Sequence, residues 1–415
     1  MTSQTLQVAV SIYIWRAIAF TIFLVPASSI LAPKLTLPLF LLLSIAGVFC
    51  RFGPTSLPCR MPALAAAMLI FGVATIAVNY YHGVNWGTYH VPLTAILTLP
   101  FVWLLQHEKA KIKFAYWGGV FGVLSATYVA LKTGMTGGRA GGHLNPIIFA
   151  GLALILSVAT LAAERYRSTR LPEKVWLFFI ILLAFGGLIA CLLSGSKAAI
   201  VAIPFIVYLA LPALRRLYLS APEMFFVFVL AGTAVAFYWG FLTSGPDRLL
   251  NAVYRLIQIA MGDKGLVDDG SIAPRLEFWV LGIELIKESP ILGTGRTGLI
   301  EFIKNAVQTG QLNPAYGWAQ TLHSEFLDVW AVNGLIGLLA TVSIYGALLY
   351  QGFDSKLVKL SSVAILCFGL FWVMISMGLG EVAIPLKHFR TLFFFYAMLS
   401  IGELVRFKVN SHHLN

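Results

Sequence analysis

Long apolar runs separated by short polar connections make up most of this chain. A helix needs about 20 mainly apolar residues to cross the hydrocarbon core of a bilayer. By that measure the pattern predicts about twelve transmembrane helices, and hence an all-α polytopic membrane protein. The predicted spans are residues 8–31, 35–50, 62–81, 89–106, 114–131, 145–163, 175–193, 197–214, 222–243, 322–350, 358–377 and 388–405.

A long polar segment, residues 244–321, separates the ninth predicted span from the tenth. Three helices are expected within it. Residues 246–261 place apolar side chains on one face at helical spacing, which is typical of a helix lying on a membrane surface. The second helix is expected over residues 274–287, because proline is favoured in a first turn and Pro290 follows the end. The third is expected over residues 298–307.

The chain therefore divides into three predicted regions. Residues 1–243 hold spans 1–9, residues 244–321 form the long loop with its amphipathic helices, and residues 322–415 hold spans 10–12 and the tail. The tenth span is expected to begin with His323 in its first turn.

Composition excludes a soluble globular protein. The chain is 59% hydrophobic and only 11% charged, whereas soluble domains carry about 25% charged residues. The net charge is +12, but the basic residues lie in short connections, so we expect them to determine membrane topology and predict no nucleic-acid partner. The four cysteines show no CxxC spacing, and neither a disulfide framework nor a zinc site is expected.

Arginine and lysine concentrate in every second connection. The even-numbered connections and the tail contain Arg51, Arg60, Lys109, Lys111, Lys113, Arg165, Arg167, Arg170, Lys174, Arg215, Arg216, Lys356, Lys359, Arg406 and Lys408. The short odd-numbered connections contain only Lys34, Lys132, Arg139, Lys197, Lys387 and Arg390. The positive-inside rule predicts both termini in the cytoplasm, and the long loop then faces the outside, which in a Gram-negative cell is the periplasm.

His323 is the strongest candidate for a catalytic group. A neutral imidazole can accept a proton from a hydroxyl in the transition state. If the hydrocarbon-spanning part of the helix begins near Trp330, His323 lies about 10 Å farther out, in the headgroup zone. The alternative is an interfacial histidine with a structural role. Glu325 and Asp328 lie on other helix faces, so neither is an obvious partner for the imidazole.

Three outward-facing cations are candidates for binding a diphosphate. Arg139 lies in a glycine-rich loop where the backbone can approach a ligand closely. Lys197 and Arg275 each open a predicted helix, and a cation at a helix N-terminus favours an anion. Arginine binds phosphate through two parallel hydrogen bonds, whereas lysine acts as a point charge. The alternative is that these side chains extend to lipid phosphates.

Other residues extend the candidate site. His143, Arg248 and Arg390 are expected to support it from farther out. The aromatic residues Tyr316, Trp318, Trp279 and Trp330 could stack on sugars or anchor the interface. There is no DxD, HExxH or Walker motif, and the pair Asp268-Asp269 lies in a glycine-rich turn. We therefore expect no metal and no cofactor.

The motifs resemble those of a known family. His323-Ser324, followed after nine residues by Gly334-Leu335-Ile336-Gly337, resembles the His-[Asn/Ser/Gln]-x9-Gly-x-x-Gly signature of bacterial O-antigen ligases. Residues 139–146, 274–279 and 289–295 resemble segments of the wider O-antigen ligase/polymerase superfamily. The chain departs from the family at Lys197, where relatives often carry arginine, and at Ile147, where many carry asparagine.

The resemblance implies a membrane-embedded, metal-independent glycosyltransferase of the bacterial inner membrane. The donor would be a glycan linked to undecaprenyl diphosphate, and the acceptor the lipid A-core oligosaccharide at the periplasmic face. His323 would act as the base, with Arg139, Lys197 and Arg275 on the diphosphate. An O-antigen polymerase is the alternative within the superfamily. A lipid or anion transporter is a third hypothesis, but it predicts ionisable residues near the midplane and repeated broken helices.

Overall fold

The computed structural model describes residues 3–51, 62–107, 110–136, 138–167, 171–227, 230, 273–357 and 361–412. Within these ranges every regular element is helical, which confirms the predicted fold class. The α-helices are α1 (Ser3–Ala27), α2 (Pro33–Arg51), α3 (Ala63–Tyr81), α4 (His90–Leu97), α5 (Phe101–Gln106), α6 (Lys113–Met135), α7 (Pro146–Ala162), α8 (Glu173–Ser194), α9 (Lys197–Ile200), α10 (Ile203–Ser220), α11 (Ala273–Glu288), α12 (Gly295–Gln308), α13 (Glu325–Leu357), α14 (Ser361–Gly380) and α15 (Lys387–His412).

By length and composition, 8 stretches of the described chain could cross a membrane. They correspond to α2, α3, α6, α7, α8, the combined α9 and α10, α13 and α14. Shorter apolar helices cover residues 11–27 and 90–106. Most of the ninth predicted span lies outside the described residues, as does the predicted surface helix over residues 246–261. The total of twelve spans stays a prediction.

Two predicted spans are interrupted rather than continuous. The fourth divides into α4 and α5 at Thr98, Leu99 and Pro100, since proline cannot donate the backbone hydrogen bond that a continuous helix requires. The eighth begins with the single turn α9, and α10 starts after a turn at residues 201–202. Lys197 therefore opens one helical turn and not the long helix that the sequence predicts.

Helix α7 lies at the centre of the bundle. All residues from Phe149 to Ala162 are buried, and α6, α8, α14 and α15 pack around this helix. Three consecutive phenylalanines of α15, Phe393 to Phe395, are also fully buried in this core. A helix that is apolar on all sides is typical of the interior of a membrane bundle.

Helix α13 is broken at Gly334, where φ is 65° and ψ is −168°. Glycine adopts this backbone without strain because it has no Cβ. The turn between α11 and α12 inserts at the break. The N–H of Thr294 donates to the Ala331 carbonyl over 2.9 Å, and the N–H of Leu335 donates to the Pro290 carbonyl over 2.9 Å. The Ala331 carbonyl and the Leu335 N–H of α13 thus have partners outside the helix, as buried backbone groups require.

Candidate active site

A cavity of about 550 Å³ opens where the loop before α13 meets α11 and the loops flanking α7 and α9. Its lining residues are Arg139, Ile147, Gly195, Ser196, Lys197, Ala198, Pro274, Arg275, Phe278, Ala315, Tyr316, Trp318 and His323. The structure therefore brings the four strongest candidates from the sequence, His323 and the cations Arg139, Lys197 and Arg275, to one cavity. Their chemical roles stay predictions.

Arg139 connects its glycine-rich loop to the end of α8. Its Nε donates to the Ser194 carbonyl over 3.0 Å, and its Nη2 donates to the Gly195 carbonyl over 3.3 Å. Gly195 ends α8 in the left-handed conformation that glycine favours at this position. These bonds fix the guanidinium beside Lys197, which begins α9 two residues later. Both of these cationic residues line the cavity.

Arg275 supplies positive charge from the first turn of α11. Its Nε donates to the carbonyl of Gly380 over 3.0 Å. Gly380 is the last residue of α14, so this bond connects the loop helix α11 to the end of a membrane helix. Pro274, which precedes it, also lines the cavity. The expectation that residues 274–287 form a helix is confirmed by α11.

His323 lies just before α13, with a φ of 51°. The expectation that it lies in the first helical turn is wrong, because α13 begins at Glu325 and the Ser324 carbonyl accepts the first helical bond, from Asp328. A positive φ in a non-glycine residue is uncommon and costs energy that the surroundings must supply. The ring of His323 contacts Phe278, with centroids 5.6 Å apart.

Glu381 is the partner of the imidazole. Its Oε1 lies 3.2 Å from His323 Nδ1 and also accepts the N–H of Val382 over 3.2 Å. Burial raises the pKa of Glu381, but the hydrogen bond and charge of His323, the Val382 N–H and the charge of Arg275 lower it, with a net shift below its ordinary value. A carboxylate on Nδ1 orients the ring and directs Nε2 to other partners.

The backbone leading into His323 is held by a buried ion pair. Arg296 makes two parallel hydrogen bonds to Asp328, of 3.0 and 2.6 Å. Asp328 also accepts the N–H of Leu322 over 3.0 Å, and Arg296 donates to the Gln320 carbonyl over 2.8 Å. The side chain of Asp328 is completely buried. The pair therefore fixes residues 320–322, directly before the unusual backbone of His323.

None of the three residues expected to support the site from farther out is among those that line the cavity in the described part of the chain. His143 is exposed and does not line the cavity. Arg390 is buried and does not line it either; its Nη1 donates to the carbonyls of Ile384 and Pro385 over 2.8 and 3.1 Å. It therefore stabilises the loop between α14 and α15, which carries Glu381. Arg248 lies outside the described residues, as does the pair Asp268-Asp269.

Sequence reasoning missed Glu381, Arg296 and the role of Asp328. Glu381 lies four residues beyond the outward end of the eleventh predicted span, and this position was the available signal. A metal site is not formed by the residues that the structure describes, since no three His, Cys, Asp or Glu side chains among them could hold one ion. Metal independence itself is a question for an assay.

Comparison with known proteins agrees with the resemblance in the motifs. The family model described as O-antigen ligase matches residues 179–342, less than half of the chain. An uncharacterized protein of Haemophilus influenzae is 32% identical over 74 residues, which cover 18% of this chain and 18% of that relative. The matched family region includes the cavity residues Lys197, Arg275 and His323.

Proposed function

We propose that the chain is an O-antigen ligase, because a family model of that description matches residues 179–342. The family supports a glycosyltransferase-like membrane enzyme of lipopolysaccharide biosynthesis, with polysaccharide and lipid A-core as its general partners. The proposed donor is a glycan on undecaprenyl diphosphate. The proposed acceptor is a sugar hydroxyl of the lipid A-core oligosaccharide.

The observation that carries this proposal is the convergence of one base and three cations on a single cavity. His323, supported by Glu381, shares the cavity with Arg139, Lys197 and Arg275. A hydroxyl nucleophile needs a proton acceptor. A diphosphate leaving group needs positive charge where negative charge develops. This cavity supplies both from residues far apart in the sequence.

The proposed reaction is a single displacement. His323 Nε2 accepts the proton of the acceptor hydroxyl while its oxygen forms a bond to the anomeric carbon of the donor sugar. The bond from that carbon to the diphosphate oxygen breaks, and undecaprenyl diphosphate leaves with the electron pair. One displacement inverts the anomeric configuration. Glu381 stabilises the imidazolium, and the three cations stabilise the leaving diphosphate.

The proposal includes a location for the reaction. In the topology that the basic residues predict, both termini lie in the cytoplasm and the cavity opens to the periplasm. His323 and the end of α14 then lie at the periplasmic surface of the inner membrane, where the bilayer meets water. Donor and acceptor are both lipid-linked, so a site at this depth lets their headgroups meet without leaving the bilayer.

Reconstitution tests the proposal. Purified protein in liposomes receives undecaprenyl-diphosphate glycan and lipid A-core, with EDTA present, and products are separated on a gel. We expect glycan on lipid A-core, lost in His323→Ala and retained in His143→Ala, which alters an exposed histidine outside the cavity. Lengthened lipid-linked glycan without lipid A-core would instead identify a polymerase. Absence of any new bond with the unaltered protein would overturn the proposal.

A further inference from the structure

Trp318 is both exposed and part of the cavity lining. Its side chain is 70% exposed, yet it lines the cavity beside His323. The two ring centroids are 6.2 Å apart, and the planes meet at 71°. The indole therefore presents an edge-to-face contact to His323, and most of its surface is left open. An exposed aromatic side chain in the lining of a cavity that also holds a few polar groups is typical of a ligand contact.

The position of Trp318 is fixed by the backbone on both sides. Before it, Asn313 caps a short turn by accepting the N–H of Ala315 over 3.0 Å. After it, the N–H of Ala319 donates to the Tyr316 carbonyl over 3.0 Å, and Arg296 holds the Gln320 carbonyl. An exposed tryptophan on a fixed turn loses little conformational freedom when it binds a ligand.

The other aromatic residues of the cavity do not offer such a surface. Phe278 is only 1% exposed and packs against His323 and Tyr316. Tyr316 is half-buried. Trp330, another candidate from the sequence, donates its indole N–H to the Pro290 carbonyl over 3.0 Å and does not line the cavity. Of the aromatic side chains described around this cavity, Trp318 has the most open surface.

We infer that Trp318 stacks on the acceptor sugar, an inference that rests on the proposed function. A hydroxyl that gives its proton to His323 lies about 3 Å from the imidazole. The ring bearing that hydroxyl is then within reach of the indole, whose centroid is 6.2 Å from that of His323. The donor's diphosphate is drawn to the cations. The apolar C–H face of the acceptor sugar packs on the indole, which buries area and adds an aromatic contact.

Steady-state transfer tests this inference in the full-length protein in liposomes. Acceptor is varied at saturating donor, and donor is then varied at saturating acceptor. Trp318→Phe keeps an aromatic surface, whereas Trp318→Leu keeps a bulky apolar side chain without one. We expect Leu to raise the acceptor KM by about tenfold, the upper range for an aromatic contact, and Phe to raise it less. The donor KM should be unchanged in both.

The matched control is Trp86→Leu, which alters another exposed tryptophan that does not line the cavity and should leave both KM values unchanged. Equal acceptor KM values for the unaltered protein and Trp318→Leu would overturn the inference, and so would a rise confined to the donor KM.

If Trp318→Leu does not fold, Trp318→Phe decides: an unchanged donor KM with a raised acceptor KM supports the inference, and any other pattern overturns it. Failure of the unaltered protein to transfer glycan would instead overturn the proposed function.

Discussion

Glu381 Oε1 lies 3.2 Å from Nδ1 of His323, although 58 positions separate the two residues in the sequence. Glu381 follows the last residue of α14, and His323 precedes α13. The contact therefore depends on the packing of these two helices. It gives the imidazole a carboxylate on one nitrogen, which favours a proton there and leaves the other nitrogen able to accept one.

Replacing Glu381 by glutamine tests this arrangement. The amide keeps the size of the side chain but removes the negative charge that stabilises an imidazolium. Since a positioned base contributes about 10²–10⁴-fold, we expect kcat to fall by at least about tenfold. Glu381→Asp, which keeps the charge, should recover part of the rate. An unchanged kcat in Glu381→Gln would contradict a role in proton transfer.

The ionisation of Glu381 also predicts a pH-dependent stability. Its pKa is lowered in the folded protein, so its contribution is fully present at pH values above its ordinary pKa. That contribution is lost as the pH falls through the lowered value. We expect the unfolding temperature in detergent to fall more steeply below about pH 4.5 in the unaltered protein than in Glu381→Gln. Parallel curves for the two proteins would show that the ionised carboxylate does not stabilise the fold.

The sequence allowed the cavity residues to be named but not the contacts between them. Cations at outward helix ends and a histidine before an apolar run are local features. The partner of His323 is not local, because α13 and α14 separate Glu381 from His323 in the sequence. Asp328 is near in sequence, but its role becomes visible only when α12 brings Arg296 against it. No local pattern specifies such a pairing.

The break at Gly334 was missed for a related reason. The apolar run over residues 322–350 predicts one continuous helix, and an isolated glycine does not end a membrane helix by itself. The break is stable because the turn between α11 and α12 supplies Thr294 and Pro290 as hydrogen-bond partners. That turn lies about 40 residues earlier in the chain, so helical periodicity does not reveal it.

The ion pair between Arg296 and Asp328 should be strongly coupled to stability. Arg296→Met leaves the buried Asp328 carboxylate without its main partner, and breaking a buried pair from one side costs about 3–5 kcal/mol. We expect a clear drop in unfolding temperature, measured by fluorescence in detergent. The control is Lys408→Met, which removes the exposed partner of Asp354. An exposed pair contributes only about 0–1 kcal/mol, so a similar drop in both variants would contradict the assignment.

The same pair should affect turnover as well as stability. Arg296→Lys keeps the charge but not the two parallel bonds to Asp328. Because these bonds fix residues 320–322 before His323, we expect Arg296→Lys to lower kcat while leaving the KM for both substrates near its original value. The measurement is made at a temperature where the variant remains folded. A rise in KM with kcat unchanged would show that the pair shapes binding and does not position His323.

Arg275 should contribute its charge to the departure of the diphosphate. Loss of one group that stabilises transition-state charge costs about 10²–10³-fold in kcat. We expect Arg275→Ala to lose activity within that range, and Arg275→Lys to retain more because a point charge remains in the cavity. Lys132→Ala removes an exposed cation that does not line the cavity and should leave the rate unchanged. Equal losses in Arg275→Ala and Lys132→Ala would indicate a general effect of surface charge.

Two glycines of α13 give a matched pair that separates a required backbone from an ordinary helical position. A Cβ at Gly334 would lie 2.0 Å from the Ile291 carbonyl oxygen, at a φ of 65° that alanine adopts with strain. A Cβ at Gly346 would meet nothing within 4 Å, and alanine is favoured over glycine in a helix by about 1 kcal/mol. We expect Gly334→Ala to lower the unfolding temperature, because the added Cβ displaces the inserted turn. We expect it also to abolish transfer, because displacing this turn moves α11, which carries Arg275. Gly346→Ala should be neutral or stabilising. If Gly334→Ala unfolds at the same temperature as Gly346→Ala and still transfers glycan, the break is not required for either stability or turnover.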